Sequence, residues 1–279
     1  MTLKEKDSDK IIDFVKRQPR TIQEISKHIG KSWLTADSYV KQIKDTKGVL
    51  DTKTYRAGTR GALKIVFYNY SEYVNTDDIK EAIFKKIISS TRKEDFDFMD
   101  IFQNVSTKSK KITASDIDDP DEYRKMKNFL EQAAEKVYIF SGNLSFTNLG
   151  DRKRKIIDTI EDLLKRKVSV KIICRINLAT ITNISRISGL EKEYPNFLEV
   201  RHSYQPLRGF IIDGKASRFI SEEETRKYKV NELPKNLKIF YDIYDESWNS
   251  WLENVFWSIY RSSSECNSRI KELDRIKIT

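Results

Sequence analysis

Two groups of residues in this 279-residue chain have types and spacings that do chemistry. The first lies near the N-terminus. Thr35, Ser38, Lys41 and Gln42 recur at helical spacing with Tyr39 on their flank, and Arg56 and Arg60 enclose Gly58, with Lys53 and Lys64 to either side. Hydroxyls, an amide and flexible cations are the groups that meet base edges and phosphates. The second group is Ser141, His202, Arg208, Asp213 and Ser221. A guanidinium can clamp a phosphate or carboxylate in bidentate fashion. Only two histidines and two cysteines occur. They exclude a disulfide scaffold, a cysteine-rich zinc site and most zinc hydrolases, and make a histidine triad hard to build. No metal or cofactor is expected.

The elements around the first group are readable from periodicity. Ser8 can cap a helix carrying Ile11, Ile12, Phe14 and Val15, which Pro19 ends. Thr21 and Glu24 have capping-box spacing before Ile22, Ile25 and Ile29, and Gly30 suits a helix C-terminus. Ser32 caps a third helix whose inward residues are read as Trp33, Ala36, Val40 and Ile43. VLDTKTY and ALKIVFYNY then alternate as strands around the basic insert RAGTRGA. Helix, helix–turn–helix and a two-stranded basic wing is the winged helix–turn–helix layout, in which the third helix enters the major groove. His28 is read as a surface residue without chemistry.

Charge supports this reading. The chain carries 52 Lys and Arg against 42 Asp and Glu, a net of +10. Residues 1–70 hold 15 against 8, so +7 of that excess sits in a quarter of the chain. A concentrated basic block suggests a polyanionic partner, here double-stranded DNA. No apolar run approaches the roughly 20 residues that span a bilayer, and no secretory signal precedes the first helix. A cytoplasmic protein without membrane contact is expected.

Beyond the wing, Thr76 opens a helix with Ile79, Ile83 and Ile87 on one stripe, suited either to dimerisation or to packing on its own chain. Residues 91–119 are polar and acidic and read as a loosely structured boundary. From about residue 121 helices and strands alternate: KVYIFSG, VSVKIICRI and FLEVRHS as buried strands, then a hairpin of RGFIIDG and ASRFIS. A final helix near 244–262 carries Trp248, Trp251, Leu252, Val255, Phe256 and Ile259 as core, with Trp257 and Tyr260 off that stripe and free to face a partner. Cys174 reads as core, and Cys266 as an exposed thiol. The division is 1–75, 76–120 and 121–279, an α+β unit followed by an α/β unit with a mixed sheet.

PLRGFIIDGKASRFISEE resembles the phospholipase D superfamily signature, His-x-Lys-x4-Asp-x6-Gly-Ser-x-Asn. Pro206 falls at the His position, Arg208 at the Lys, Asp213 at the Asp, Ile220 at the Gly, Ser221 at the Ser and Glu223 at the Asn. The order of units resembles the archaeal TrmB-type transcriptional regulators. The resemblance implies a homodimeric, sequence-specific DNA-binding regulator. Its phospholipase-D-like domain would dimerise or sense a small-molecule or anionic effector in a pocket of Ser141, His202, Arg208, Asp213 and Ser221. Pro206 has no nucleophilic nitrogen, so no enzymatic activity is expected. The alternatives are a phospholipase-D-type nuclease using His202 in a shifted register, and a winged helix used for protein contacts.

Overall fold

The computed structural model describes residues 3–56, 62–69, 76–117, 119–227, 233 and 235–276. The chain begins with α1 (Glu5–Arg17), β1 (Arg20–Thr21), α2 (Ile22–Ile29), α3 (Trp33–Lys47), β2 (Leu50–Arg56) and β3 (Ala62–Tyr68). The three strands form an antiparallel sheet in the order β1-β3-β2.

Local chemistry sets the helix ends. The Thr21 side chain accepts from the Glu24 amide at 3.1 Å, while the Glu24 carboxylate accepts from the Thr21 amide at 2.8 Å. Ser32 caps α3 by accepting from the Thr35 amide at 3.2 Å. Gly30 ends α2 at φ 64°, where a side chain would be strained. Ile11, Val15, Ile22, Ile25, Ala36, Val40 and Ile43 close a small core against Leu50 and Val66.

Three expectations need correction here. Ser8 lies inside α1, buried, rather than at its cap. Trp33 is the first residue of α3, before the chain has turned its apolar stripe onto the core, and is 38% exposed. Tyr39, three residues after Ala36 and four before Ile43, shares their face and is only 4% exposed.

The rest of the chain is built on one mixed, eight-stranded sheet. Its elements are α4 (Thr76–Ser89), α5 (Met99–Phe102), β4 (Lys110–Asp116), α6 (Glu122–Leu130), β5 (Lys136–Phe140), α7 (Ile156–Lys165), β6 (Ser169–Cys174), α8 (Ile181–Glu193), β7 (Leu198–His202), β8 (Gly209–Ile212), β9 (Ala216–Glu223), β10 (Leu237–Ile243), α9 (Glu246–Ser262), β11 (Ser264–Glu265) and α10 (Cys266–Ile276). The strand order is β11-β7-β6-β5-β8-β9-β10-β4. β5, β6 and β7 run parallel, and the remaining pairings are antiparallel.

Strand alternation divides the core into two layers. Val137 and Ile139 of β5 face a layer shared with α6, α7, α8 and α10. Tyr138 and Phe140 face the other, shared with α4, α5 and α9. That second layer also contains Tyr55, Leu63, Ile65 and Phe67 of the β2–β3 hairpin. The hairpin is therefore covered on both faces, by the small helices on one and by the large core on the other.

The apolar stripe of α4 packs on its own chain, one of the two roles left open for it, with Ile83 and Ile87 buried in the α9 layer. Other assignments change. The described residues of 91–119 are not loose: Phe96, Phe98, Met99, Ile101, Phe102 and Val105 are all buried, and β4 forms an edge of the sheet. Tyr260 is 4% exposed beneath the Arg201 guanidinium, so it faces no partner. Cys266 is buried, and burial pushes its thiol up to about 12. Cys174 is in the core as expected. Among the described residues no helix is long and apolar enough to cross a membrane.

Candidate functional site

The solvent-facing side of α3 carries Leu34, Ser38, Lys41 and Asp45. Lys41 is exposed and, among the described residues, has no charge partner. The Gln42 amide donates to Ser38 Oγ at 3.3 Å, which orients it along the helix surface. Thr35 Oγ1 shares a hydrogen bond of 2.9 Å with Ser32. Leu34 is 76% exposed, a feature the apolar periodicity did not single out.

Of the other basic-patch candidates, Lys64 is not free: its Nζ sits 2.6 Å from Asp37 Oδ1 and ties β3 to α3. Lys53 pairs across the ladder with Ile65, on the sheet face turned away from the small helices. Tyr39 is core. Arg60 and the side chain of Arg56 lie outside the described residues. His28 is exposed and stacks on Phe14 at 3.9 Å between ring centroids. The structure thus keeps Thr35, Ser38, Lys41 and Gln42 together on one surface, and removes Tyr39, Lys53 and Lys64 from it.

The second site lies where β5 ends and β8 begins. These two strands are antiparallel neighbours, so Ser141 and Arg208 meet at the same edge of the sheet. Gln205 makes the meeting rigid. It donates to the Ser141 carbonyl at 3.2 Å and accepts from the Leu207 amide at 2.6 Å. The Arg208 side chain then lies against Gly142. A Cβ there would stand 2.8 Å from Nη2 and 3.2 Å from both Cζ and Nε, so only glycine admits the guanidinium in this position. Neither Gln205 nor Gly142 was singled out from sequence, because the contact spans more than sixty residues.

Arg208 separates two cavities. One, of about 390 Å³, is lined by Met126, Phe140, Ser141, Gly142, Asn143, Phe146 and Phe210, with Glu122, Glu222 and Lys238 at its rim. The other, of about 260 Å³, holds Ser221 and the carboxylates Glu94, Asp97, Glu222, Glu223 and Glu224. Two ion pairs tie up most of the nearby charge: Lys238 to Glu122 at 2.6 Å and Lys93 to Glu222 at 2.7 Å.

Asp97 lines the smaller cavity and is exposed there, but the protein atoms packed around it desolvate its carboxyl and raise it to about 6, with Asp100 and Glu223 adding repulsion. A folded-state value raised above 3.8 contributes stability that is present below pH 3.8 and is lost as pH rises through about 6. Because the group also meets water, the effect is discounted to about 1 kcal/mol. Asp97→Asn should therefore raise stability at pH 7.5 and leave it unchanged near pH 3.5. Urea unfolding at the two values checks the sign.

Two expected pocket residues lie elsewhere. Asp213 stands at the far end of β8 from Arg208, a separation of about 15 Å. At φ 52° it forms with Gly214 the centre of the β8–β9 turn. Its carboxylate accepts from the amides of Ala134, Glu135 and Lys136 at 2.8–2.9 Å. Burial opposes its ionisation, but these donors outweigh it and hold the carboxyl below the usual range.

His202 is buried at the end of β7, two strands from β5, and lines neither cavity. Its Nδ1 accepts from the Ile176 amide at 2.8 Å, so in the neutral ring Nε2 carries the proton and offers no lone pair for attack. Burial, with the nearby Arg269, lowers its pKa. Among the described residues, no group of three or more His, Cys, Asp or Glu side chains is placed to hold a metal ion.

No protein-family model matches the chain, and no curated protein matches it. Among solved structures, the chain is similar to TrmBL2, described as an archaeal chromatin protein with a novel mode of DNA binding, at 16% identity over 94% of each chain and a TM-score of 0.42. It is also similar to Nuc from Salmonella typhimurium, a phospholipase D family member, at 15% identity, covering 56% of this chain and 97% of that one, with a TM-score of 0.41. NucT from Helicobacter pylori shows 18% identity, 56% and 99% coverage and a TM-score of 0.40. The expectation of a chain without enzymatic activity is corrected at this point: Nuc and NucT stand among its structural neighbours beside TrmBL2, and that expectation is withdrawn.

Proposed function

We propose that this chain is a sequence-specific, duplex-DNA-binding transcriptional regulator of the cytoplasm that acts as a homodimer. In this reading residues 1–75 form a winged helix, 121–279 a phospholipase-D-like domain, and 76–120 the packed connection between them. The observation that carries it is the free face of α3. Its inner side is locked into the core by Ala36, Val40 and Ile43, and its N-terminus is fixed by the Ser32 cap. What remains outside is a row of base-edge and phosphate chemistry. Gln42 suits adenine, Lys41 a phosphate, and Leu34 a thymine methyl. One such helix covers only a few base pairs, so a regulator of ordinary affinity needs two copies on adjacent half-sites.

Selection of bound duplexes from a random pool, in EDTA at moderate salt, tests this. Intact, two-fold-symmetric sites are expected. A pool without enrichment would overturn sequence-specific reading. Nicked DNA in the recovered pool would instead favour a phosphodiesterase, the reading that His202→Ala then tests. Arg60→Ala is expected to weaken all duplexes and flatten the salt dependence by about one charge.

A further inference from the structure

The structure assigns the larger cavity to a small organic monoanion: a carboxylate head on Arg208 with an apolar, preferably aromatic, body. The site's role as an effector site rests on the regulator reading above; its binding chemistry does not.

The cavity wall carries a cation that forms no ion pair among the described residues. A guanidinium carries five donors in a planar fork and is always charged. Among the described residues, Arg208 has no hydrogen bond and no ion pair from its side chain, although it is half-buried and lodged against Gly142. Glu222, a carboxylate whose ionisation Arg208 favours, is already committed to Lys93. A half-buried cation on a cavity wall, without an ion pair of its own, is a group that an anionic ligand can pair with.

Pairing bears on the valence of the ligand. Of the charged groups that line this cavity, Lys238 is paired with Glu122, and Glu222 with Lys93 of the smaller cavity, which leaves Arg208 as the lining cation without an ion pair among the described residues. A monoanion neutralises it. A phosphate monoester dianion would bring a second negative charge toward two carboxylates. The smaller cavity holds five carboxylates against Lys93, Arg208 and Arg226, a net negative lining that favours the head on the Ser141–Asn143 side.

The walls fix the body. Phe146, half-buried on the wall, meets Phe210 edge-on at 5.3 Å, and the nearly fully buried Met126, Phe140 and Phe210 back it, so the wall is apolar. A volume of about 390 Å³ is within the range of small-molecule sites.

Calorimetric titration of the full chain, without DNA, tests this with 3-phenylpropanoate, 3-phenylpropan-1-ol and phenyl phosphate as probes. One-to-one binding of the acid is expected, with the alcohol and the phosphate at least ten-fold weaker. Arg208→Met should lose the acid. Ser145→Trp, at an exposed position on the cavity mouth, should also block it with an unchanged melting temperature. Equal binding of acid and alcohol, tighter binding of the phosphate, acid binding retained in Arg208→Met, or no binding of the acid would each overturn the assignment. Because no duplex is present, failure here is separate from failure of the selection experiment.

Discussion

Arg218→Met should destabilise the protein by about 3–5 kcal/mol, the largest single-site effect expected outside the apolar core. Arg218 of β9 and Asp242 of β10 are directly opposed in the ladder. They meet in a two-point pair, Nε to Oδ1 at 2.7 Å and Nη2 to Oδ2 at 2.8 Å. Nη1 reaches on to the Lys125 carbonyl at 3.1 Å, and the guanidinium lies over the Phe129 ring at 4.5 Å. One side chain thus joins β9, β10 and α6.

The cost follows from burial. Asp242 is 2% exposed, so removing the cation strands a carboxylate away from water. Folded domains have only about 5–15 kcal/mol in reserve, so the loss is a large fraction of the whole. Adding Asp242→Leu to Arg218→Met should restore most of it, because no buried charge then remains. Urea unfolding of the two single variants and the double variant measures the coupling. A single-variant loss below 1 kcal/mol would show that the pair is not buried in solution. The site would register the change too, since β9 carries Ser221 and Glu222 toward the cavities.

What was legible in the sequence was local. Thr21, Glu24, Gly30 and Ser32 sit where the backbone needs them within four residues, and each does what its spacing implies. The strands of the second unit were readable because both faces are buried and the apolar runs are continuous. Tyr39 was legible and misread: its spacing placed it with Ala36 and Ile43, but its hydroxyl suggested a surface. Residues 91–119 failed for another reason. Phe96, Phe98, Met99, Ile101 and Phe102 keep neither a period of 2 nor one of 3.6 throughout, because they run from the irregular stretch after the 3-10 turn at Lys93–Asp95 into the single helical turn Met99–Phe102. Charged neighbours hid a segment that feeds the largest core.

The site divides along the same line. Ser141 and Arg208 were named from sequence and do converge on one cavity, since antiparallel neighbours bring the end of β5 to the start of β8. Asp213 was named by its position in a signature. Position in a signature says nothing about long-range donors, and three amides from residues 134–136 claim its carboxylate. That the Arg208 side chain has no ion pair among the described residues could not be read at all, because it depends on how the surrounding carboxylates are paired.

Lys41→Glu is the substitution expected to cost DNA binding most, about 2 kcal/mol or roughly thirty-fold at moderate salt. It replaces a phosphate-neutralising cation with a repelling charge on the most exposed face of α3. Nothing in the fold depends on Lys41, so melting temperature should not change, and the loss should be the same for every duplex. Its salt dependence should flatten, because fewer counterions are released on binding. Gln42→Ala should behave differently. A bidentate amide contact is worth about 1–3 kcal/mol at one base pair and nothing elsewhere, so the variant should lose preference at a single position and keep its affinity for unrelated sequence. Binding isotherms on the selected site, on single-base variants of it and on random duplex separate the two. If Lys41→Glu and Gln42→Ala weakened all three duplexes alike, α3 would be touching only the backbone. If neither had any effect, the helix would not be the one that enters the groove.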